Sequence, residues 1–128
     1  MRQHGLPVDE KMILVIPDPA GETGMSALFE YSDTCGLPDG IMCNNQTHTI
    51  GVLKALRARG VRVGDQVAVI GGFFVSPWDT LIEPPLPLVN QDMQCMARKA
   101  VEFLMQRLGG DDSPPRMVLL DPELIVMS

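Results

Sequence analysis

The stretch that most constrains this chain is residues 37–60, where a turn, a short apolar run, an asparagine pair and a helix follow one another directly. Pro38, Asp39 and Gly40 carry turn chemistry, the proline fixing one φ and the glycine free to take a positive one. Ile41, Met42 and Cys43 are too few for a helix and suit a buried strand. Asn44 and Asn45 then offer side-chain oxygens to the orphan N–H groups of a helix start. In that helix Ile50, Leu53 and Leu56 share a face, with Ala55 and Ala58 beside them. Lys54, Arg57 and Arg59 collect towards its end, where cations complement the dipole. Gly60 supplies the left-handed residue of a Schellman-type stop, and Val61 the apolar residue after it. A buried strand therefore delivers two asparagines to the mouth of a helix. In open α/β sheets, ligands bind at such strand ends.

The rest of the chain repeats the strand and helix alternation. Residues 1–4 look like the last turn of a helix closed by Gly5, and residues 7–11 are a polar connector. Met12, Ile13, Leu14, Val15 and Ile16 read as a strand buried on both faces, ended by Pro17 and Pro19. A helix is expected over residues 22–33, with Met25, Leu28 and Phe29 on one side. A third buried strand is expected over residues 66–70, followed by Gly71, Gly72 and a loop holding Trp78. Pro84, Pro85 and Pro87 keep the next segment extended, and Leu88 with Val89 suits a short edge strand. Asp92 caps the most regular helix, residues 92–108, where Met93, Met96, Ala97, Ala100, Val101, Leu104 and Leu108 recur at helical spacing. Residues 117–120 and 123–127 read as two short strands. The fold class expected is α/β, with a mainly parallel sheet flanked by helices.

Length and composition exclude several functions. A chain of 128 residues is one domain at most, and 45% hydrophobic content is ordinary for a globular chain. A net charge of −6 opposes a nucleic-acid-binding surface. Cys35, Cys43 and Cys95 form no C-x-x-C pair, so neither a disulfide framework nor a zinc site is indicated, and a cytoplasmic setting is expected. They read as small buried apolar residues. No apolar run is long enough to span a membrane, and the first residues do not resemble a signal peptide. Ser26 lacks the closing glycine of a nucleophile elbow. His4 and His48 have no metal-ligand spacing, and His48 reads as a solvated or capping residue of the first helical turn. Neither a catalytic set, a metal nor a cofactor is expected. Asn44 itself is left open between a plain helix cap and a ligand contact.

Taken in order, the motifs resemble a known family. Pro38-Asp39-Gly40-Ile41-Met42-Cys43-Asn44-Asn45-Gln46, the helix after it, and Gly60-Val61-Arg62-Val63-Gly64-Asp65-Gln66-Val67-Ala68-Val69-Ile70-Gly71 are similar to the effector-binding domain of the lactose-repressor (LacI/GalR) transcription regulators. Glu83-Pro84-Pro85-Leu86, Asn90-Gln91-Asp92-Met93 and Pro122-Glu123-Leu124-Ile125-Val126 continue the likeness. Gly5-Leu6-Pro7-Val8-Asp9 and Thr23-Gly24-Met25 extend it towards the start, so it spans nearly the whole chain.

The resemblance implies a partial periplasmic-binding-protein-like type I subdomain, with residues 1–91 and 116–128 forming its body. Helix 92–110 would pack on an N-terminal subdomain that these residues do not include. It implies a small-molecule effector, a sugar or nucleobase-like compound, held by Asn44 with Gln91 and Met93 nearby. Met25 falls where the family often places an aromatic against the ligand, its other reading being helix core. The family's usual cleft aspartate is absent after Gly72, and Phe73 or Phe74 is available to stack on an apolar ligand face instead. Self-association is implied through the helix carrying Leu53 and the loop carrying Trp78, Leu81 and Ile82. DNA would be bound only through a helix-turn-helix absent from these residues, and no membrane contact is implied. A solute receptor for transport or chemotaxis is the alternative reading.

Overall fold

The computed structural model describes residues 4–16, 21–73 and 82–126. After a short 3₁₀ turn at Glu10–Met12 come α1 (Gly21–Cys35), β1 (Gly40–Met42), α2 (Gln46–Ala58), β2 (Ala68–Phe73), β3 (Leu88–Asn90), α3 (Met93–Leu108) and β4 (Glu123–Ile125). Among the described residues the strands form one four-stranded sheet in the order β1-β2-β3-β4. β1, β2 and β3 run parallel, with Ile41 opposite Val69 and Phe73 opposite Asn90. β4 returns antiparallel to β3, with Leu88 opposite Ile125. This is the α/β architecture expected, a mainly parallel sheet flanked by helices.

The helices are placed by their ends. Asn45 Oδ1 accepts the His48 N–H at 2.7 Å and starts α2. Val61 N–H donates to Leu56 O at 2.9 Å, and Gly60 takes a φ of 67°, which completes the Schellman stop. Asp92 Oδ1 caps α3 by accepting the Cys95 N–H at 2.8 Å. α1 and α2 pack together over one face of the sheet. The core beneath them comprises Leu28, Cys43, Val52, Ala55, Leu56, Val67, Val69, Leu86 and Leu88. Arg59 ties the two helices at the surface, pairing with Asp33 and lying 4.9 Å over the Phe29 ring.

Several expectations are corrected. Residues 13–16 form no strand, and Val15 is 85% exposed, because no strand pairs with them among the described residues. A cavity lined by residues 12–16 and by Gly40, Ile41 and Met42 separates that segment from β1. Burial alternates from Val67 to Ile70: Val67 and Val69 are enclosed, whereas Ala68, like Met42 of β1, faces out. The helices described cover one face, which leaves the other wet. β2 begins and ends later than residues 66–70, since the turn at Gly64 is closed by its N–H bonding Val67 O at 2.9 Å. β3 is an interior strand, because β4 pairs on its far side. Residues 117–120 form no strand and run beside α3, where the Arg116 guanidinium lies 5.0 Å over the Phe103 ring. Of the cysteines only Cys43 is buried; Cys35 is exposed at the end of α1.

α3 lies apart from the sheet and from the other helices. Its apolar residues are therefore open, Val101 at 59% and Leu108 at 74%. Residues 1–3, 17–20, 74–81 and 127–128, with the expectations for Phe74, Trp78 and Leu81, lie outside the described residues.

Candidate ligand-binding site

The parallel strands bring their C-terminal ends to one edge of the sheet. The register that sets Phe73 opposite Asn90 puts Gln91 just beyond the end of β3. At the other side of β2 the chain leaves β1 through Cys43 and Asn44. Gly71 and Gly72 let these lines approach. A Cβ on Gly72 would stand 2.4 Å from Cys43 O and 3.0 Å from the Asn44 carbonyl carbon. One on Gly71 would meet Leu88 Cδ2 at 2.7 Å and Thr49 Cγ2 at 3.3 Å. The glycine pair thus serves close packing of backbone, a role for which only a missing side chain suffices.

At this edge the two asparagines divide their work. Asn45 caps α2 through Oδ1, which also accepts from Thr47 Oγ1 at 2.9 Å. That commitment turns Asn45 Nδ2 towards His48 Nδ1 at 3.1 Å. Asn44 Oδ1 lies 3.0 Å from the same ring nitrogen, and its side chain is otherwise open to solvent. A single imidazole nitrogen donates or accepts, not both. With hydrogen on Nδ1, His48 donates to the Asn44 oxygen; without it, the nitrogen accepts from Asn45 Nδ2. The helix-cap reading therefore belongs to Asn45, and Asn44 is spared for another partner.

His48 is 8% exposed, which corrects its reading as a solvated residue. It is enclosed because Gly24, in the first turns of α1, packs on it: a Cβ there would be 3.4 Å from His48 Cα. The i and i+4 spacing of Asn44 and His48 was the signal available for their contact. Beneath them Cys43 is buried, and desolvation pushes its thiol pKa above the ordinary value, opposed in part by a hydrogen bond with Thr49.

Asn44, the end of β2 at Phe73, and Gln91 thus share the C-terminal edge of the sheet. Met25 stands next to Gly24 on α1, half-buried and packed against the core. Met93 opens α3 and is 50% exposed. Gln91 is half-buried against α3, beside Met96 and Leu119. Leu53 and Ile82 are both partly buried against the core. Among the described residues no group of three or more His, Cys, Asp or Glu side chains could hold a metal ion.

The comparison with known proteins is consistent along the whole chain. A family model described as a periplasmic binding protein-like domain matches residues 1–127. The chain belongs to this family. A LacI-type transcription regulator from Bifidobacterium animalis subsp. lactis superposes on the domain with a TM-score of 0.87 at 30% identity, covering 98% of this chain and 44% of that one. A cellobiose complex of the transcriptional regulator CelR superposes with a TM-score of 0.86 at 29% identity, covering 98% and 38%. In sequence, the regulator CelR of Thermobifida fusca is 30% identical over 122 residues, which is 95% of this chain and 35% of that protein. The periplasmic binding protein-like domain spans little more than a third of the length of the curated relatives it matches. Its resemblance to the effector-binding domain of the LacI regulators is thereby established. No described helix is long and apolar enough to cross a membrane.

Proposed function

We propose that this domain is the effector-sensing part of a cytoplasmic LacI-type transcription regulator, and that it takes a small hydroxyl-rich molecule, a sugar or a nucleobase-like compound, at the C-terminal edge of its sheet. The observation that carries this reading is the division of labour between the asparagines. Asn45 already caps α2, so Asn44 is released at the strand end, beside His48 and open to solvent. The cellobiose complex of CelR, a structural relative, favours a sugar.

In this reading the Asn44 amide hydrogen-bonds an effector hydroxyl or ring nitrogen, Gln91 contributes from the end of β3, and Met25, Phe73 and Met93 supply apolar surface. Effector binding shifts the parent protein between two arrangements, a coupling of about 1–3 kcal/mol. DNA contact belongs to a separate part of such a regulator, and this acidic domain by itself does not bind an operator. Self-association uses the face of α2 around Leu53 and the segment holding Trp78, Leu81 and Ile82.

The test is a titration of the 128-residue chain with cellobiose and with a purine, followed by amide chemical shifts. One wall of a cleft without a carboxylate lacks a charged hydrogen bond worth about 1.5–3 kcal/mol. The expected result is weak, millimolar-range binding confined to residues around Asn44 and Gln91, and abolished in Asn44→Ala. Micromolar affinity by calorimetry, or shifts that spare Asn44, would sink the proposal.

A further inference from the structure

Two amides meet one ring nitrogen at the mouth of α2. His48 Nδ1 lies 3.0 Å from Asn44 Oδ1 and 3.1 Å from Asn45 Nδ2. A ring nitrogen that carries hydrogen donates and one without it accepts, so it satisfies the oxygen or the N–H but not both. The residue is buried, and α1 closes over its backbone at Gly24.

The asparagines are not equally free to answer. Asn45 Oδ1 accepts from the His48 N–H at 2.7 Å and from Thr47 Oγ1 at 2.9 Å, which fixes its amide with Nδ2 towards the ring. Turning that amide over would give up the cap of α2. Asn44 is exposed, and among the described residues its side chain bonds this ring nitrogen alone. The two ends of an amide are close in shape and opposite in hydrogen-bonding sense, so Asn44 turns over with little change in packing. Each state of the ring therefore imposes one state on Asn44. With hydrogen on Nδ1, the ring donates to Asn44 Oδ1, and the Asn44 N–H groups are left for another partner. Without it, the ring accepts from Asn45 Nδ2. Two acceptors would then face each other across 3.0 Å, and Asn44 turns its oxygen away.

We propose that His48 is the positioning residue for Asn44, and that the hydrogen on Nδ1 selects whether an effector meets an amide donor or an amide oxygen. This rests on the reading that Asn44 contacts the effector, and adds what the contact selects. A molecule presenting ring nitrogens or ether oxygens takes the form with hydrogen on Nδ1. An effector N–H takes the form without it, and a hydroxyl, which donates or accepts, is held by either.

The experiment uses the 128-residue chain with isotope-labelled histidine, whose ring nitrogens report bound hydrogen through their chemical shifts. In the free chain, Asn44→Ala removes the oxygen and is expected to move Nδ1 towards the range of a nitrogen without hydrogen. Asn45→Asp keeps an oxygen for the cap and replaces Nδ2 with an acceptor, so Nδ1 should move to the N–H range. Saturating purine, whose ring nitrogens mostly accept, should move it the same way. Purine affinity then separates positioning from space filling. His48→Phe fills the place of the ring without a nitrogen and should bind purine about threefold to tenfold more weakly, the worth of one hydrogen bond. His48→Asn fills less space but returns an N–H near the place of Nδ1, and should recover most of that loss. The opposite order of the two variants overturns the proposal, as does an Nδ1 shift that neither asparagine variant moves. If a His48 variant fails to fold, the ring-nitrogen shifts of the asparagine variants decide alone. Purine and cellobiose titrations that spare Asn44 would instead remove the effector site, with the free-chain result still deciding what positions Asn44.

Discussion

At the scale of single residues, adjacent asparagines have acquired unlike tasks, and stability separates them. Asn45→Ala removes the acceptor for the His48 N–H and is expected to cost about 1 kcal/mol of unfolding free energy. Asn44→Ala touches no backbone donor and should stay within about 0.5 kcal/mol. Denaturant melts of the two variants check this, and equal losses would return the cap to both residues. Cys43 makes the pH argument. Burial raises its pKa in the folded state, so its contribution to stability is fully present below the unfolded value and falls as pH rises through the folded one. The thermal midpoint is expected to drop on moving from neutral pH to well above the usual cysteine range, and to drop less in Cys43→Ala.

At the scale of elements, the glycine pair of β2 decides how closely β1, α2 and β3 meet. The Cβ of Gly72→Ala would stand 2.4 Å from Cys43 O, a backbone atom with little freedom to yield. The Cβ of Gly71→Ala would press chiefly on Leu88 Cδ2, the tip of a side chain that has other rotamers. Overpacking of this kind costs about 1–3 kcal/mol, so Gly72→Ala should sit near the upper end and Gly71→Ala clearly below it. Chemical denaturation of both variants orders them, and the reverse order would contradict the packing described. In the sequence the pair signalled only a loop at a strand end, because close approach of two backbones leaves no composition signature.

At the scale of the whole molecule, the apolar surface left open on α3 has the largest consequence. Met93, Met96, Val101, Leu104, Met105 and Leu108 are all exposed. Burying such a side chain is worth about 1.5–3 kcal/mol, and several together outweigh an association cost of about 4–15 kcal/mol. Sedimentation at tens of micromolar is expected to show a species heavier than 14.0 kDa. Leu104→Asp should return the monomer if α3 holds the assembly, and Trp78→Asp if residues 78–82 do. A monomer throughout in the unsubstituted chain would refute the self-association proposed.

What the sequence determined by itself was whatever its local chemistry could specify: α2 with its asparagine cap and glycine stop, α3 from Asp92 onward, and the parallel order implied by alternating strands and helices. Those signals act within one or two turns, where cap, period and stop residues are neighbours in the chain. The apolar run 12–16 shows the limit, because its composition specifies a strand whereas a strand exists only beside a hydrogen-bonding partner. Likewise the exposure of Met42 beside buried Cys43, the interior place of β3, and the enclosure of His48 under α1 were settled by what packs across the fold. Burial is a property of neighbours distant in sequence, and only the tertiary structure brings those neighbours together.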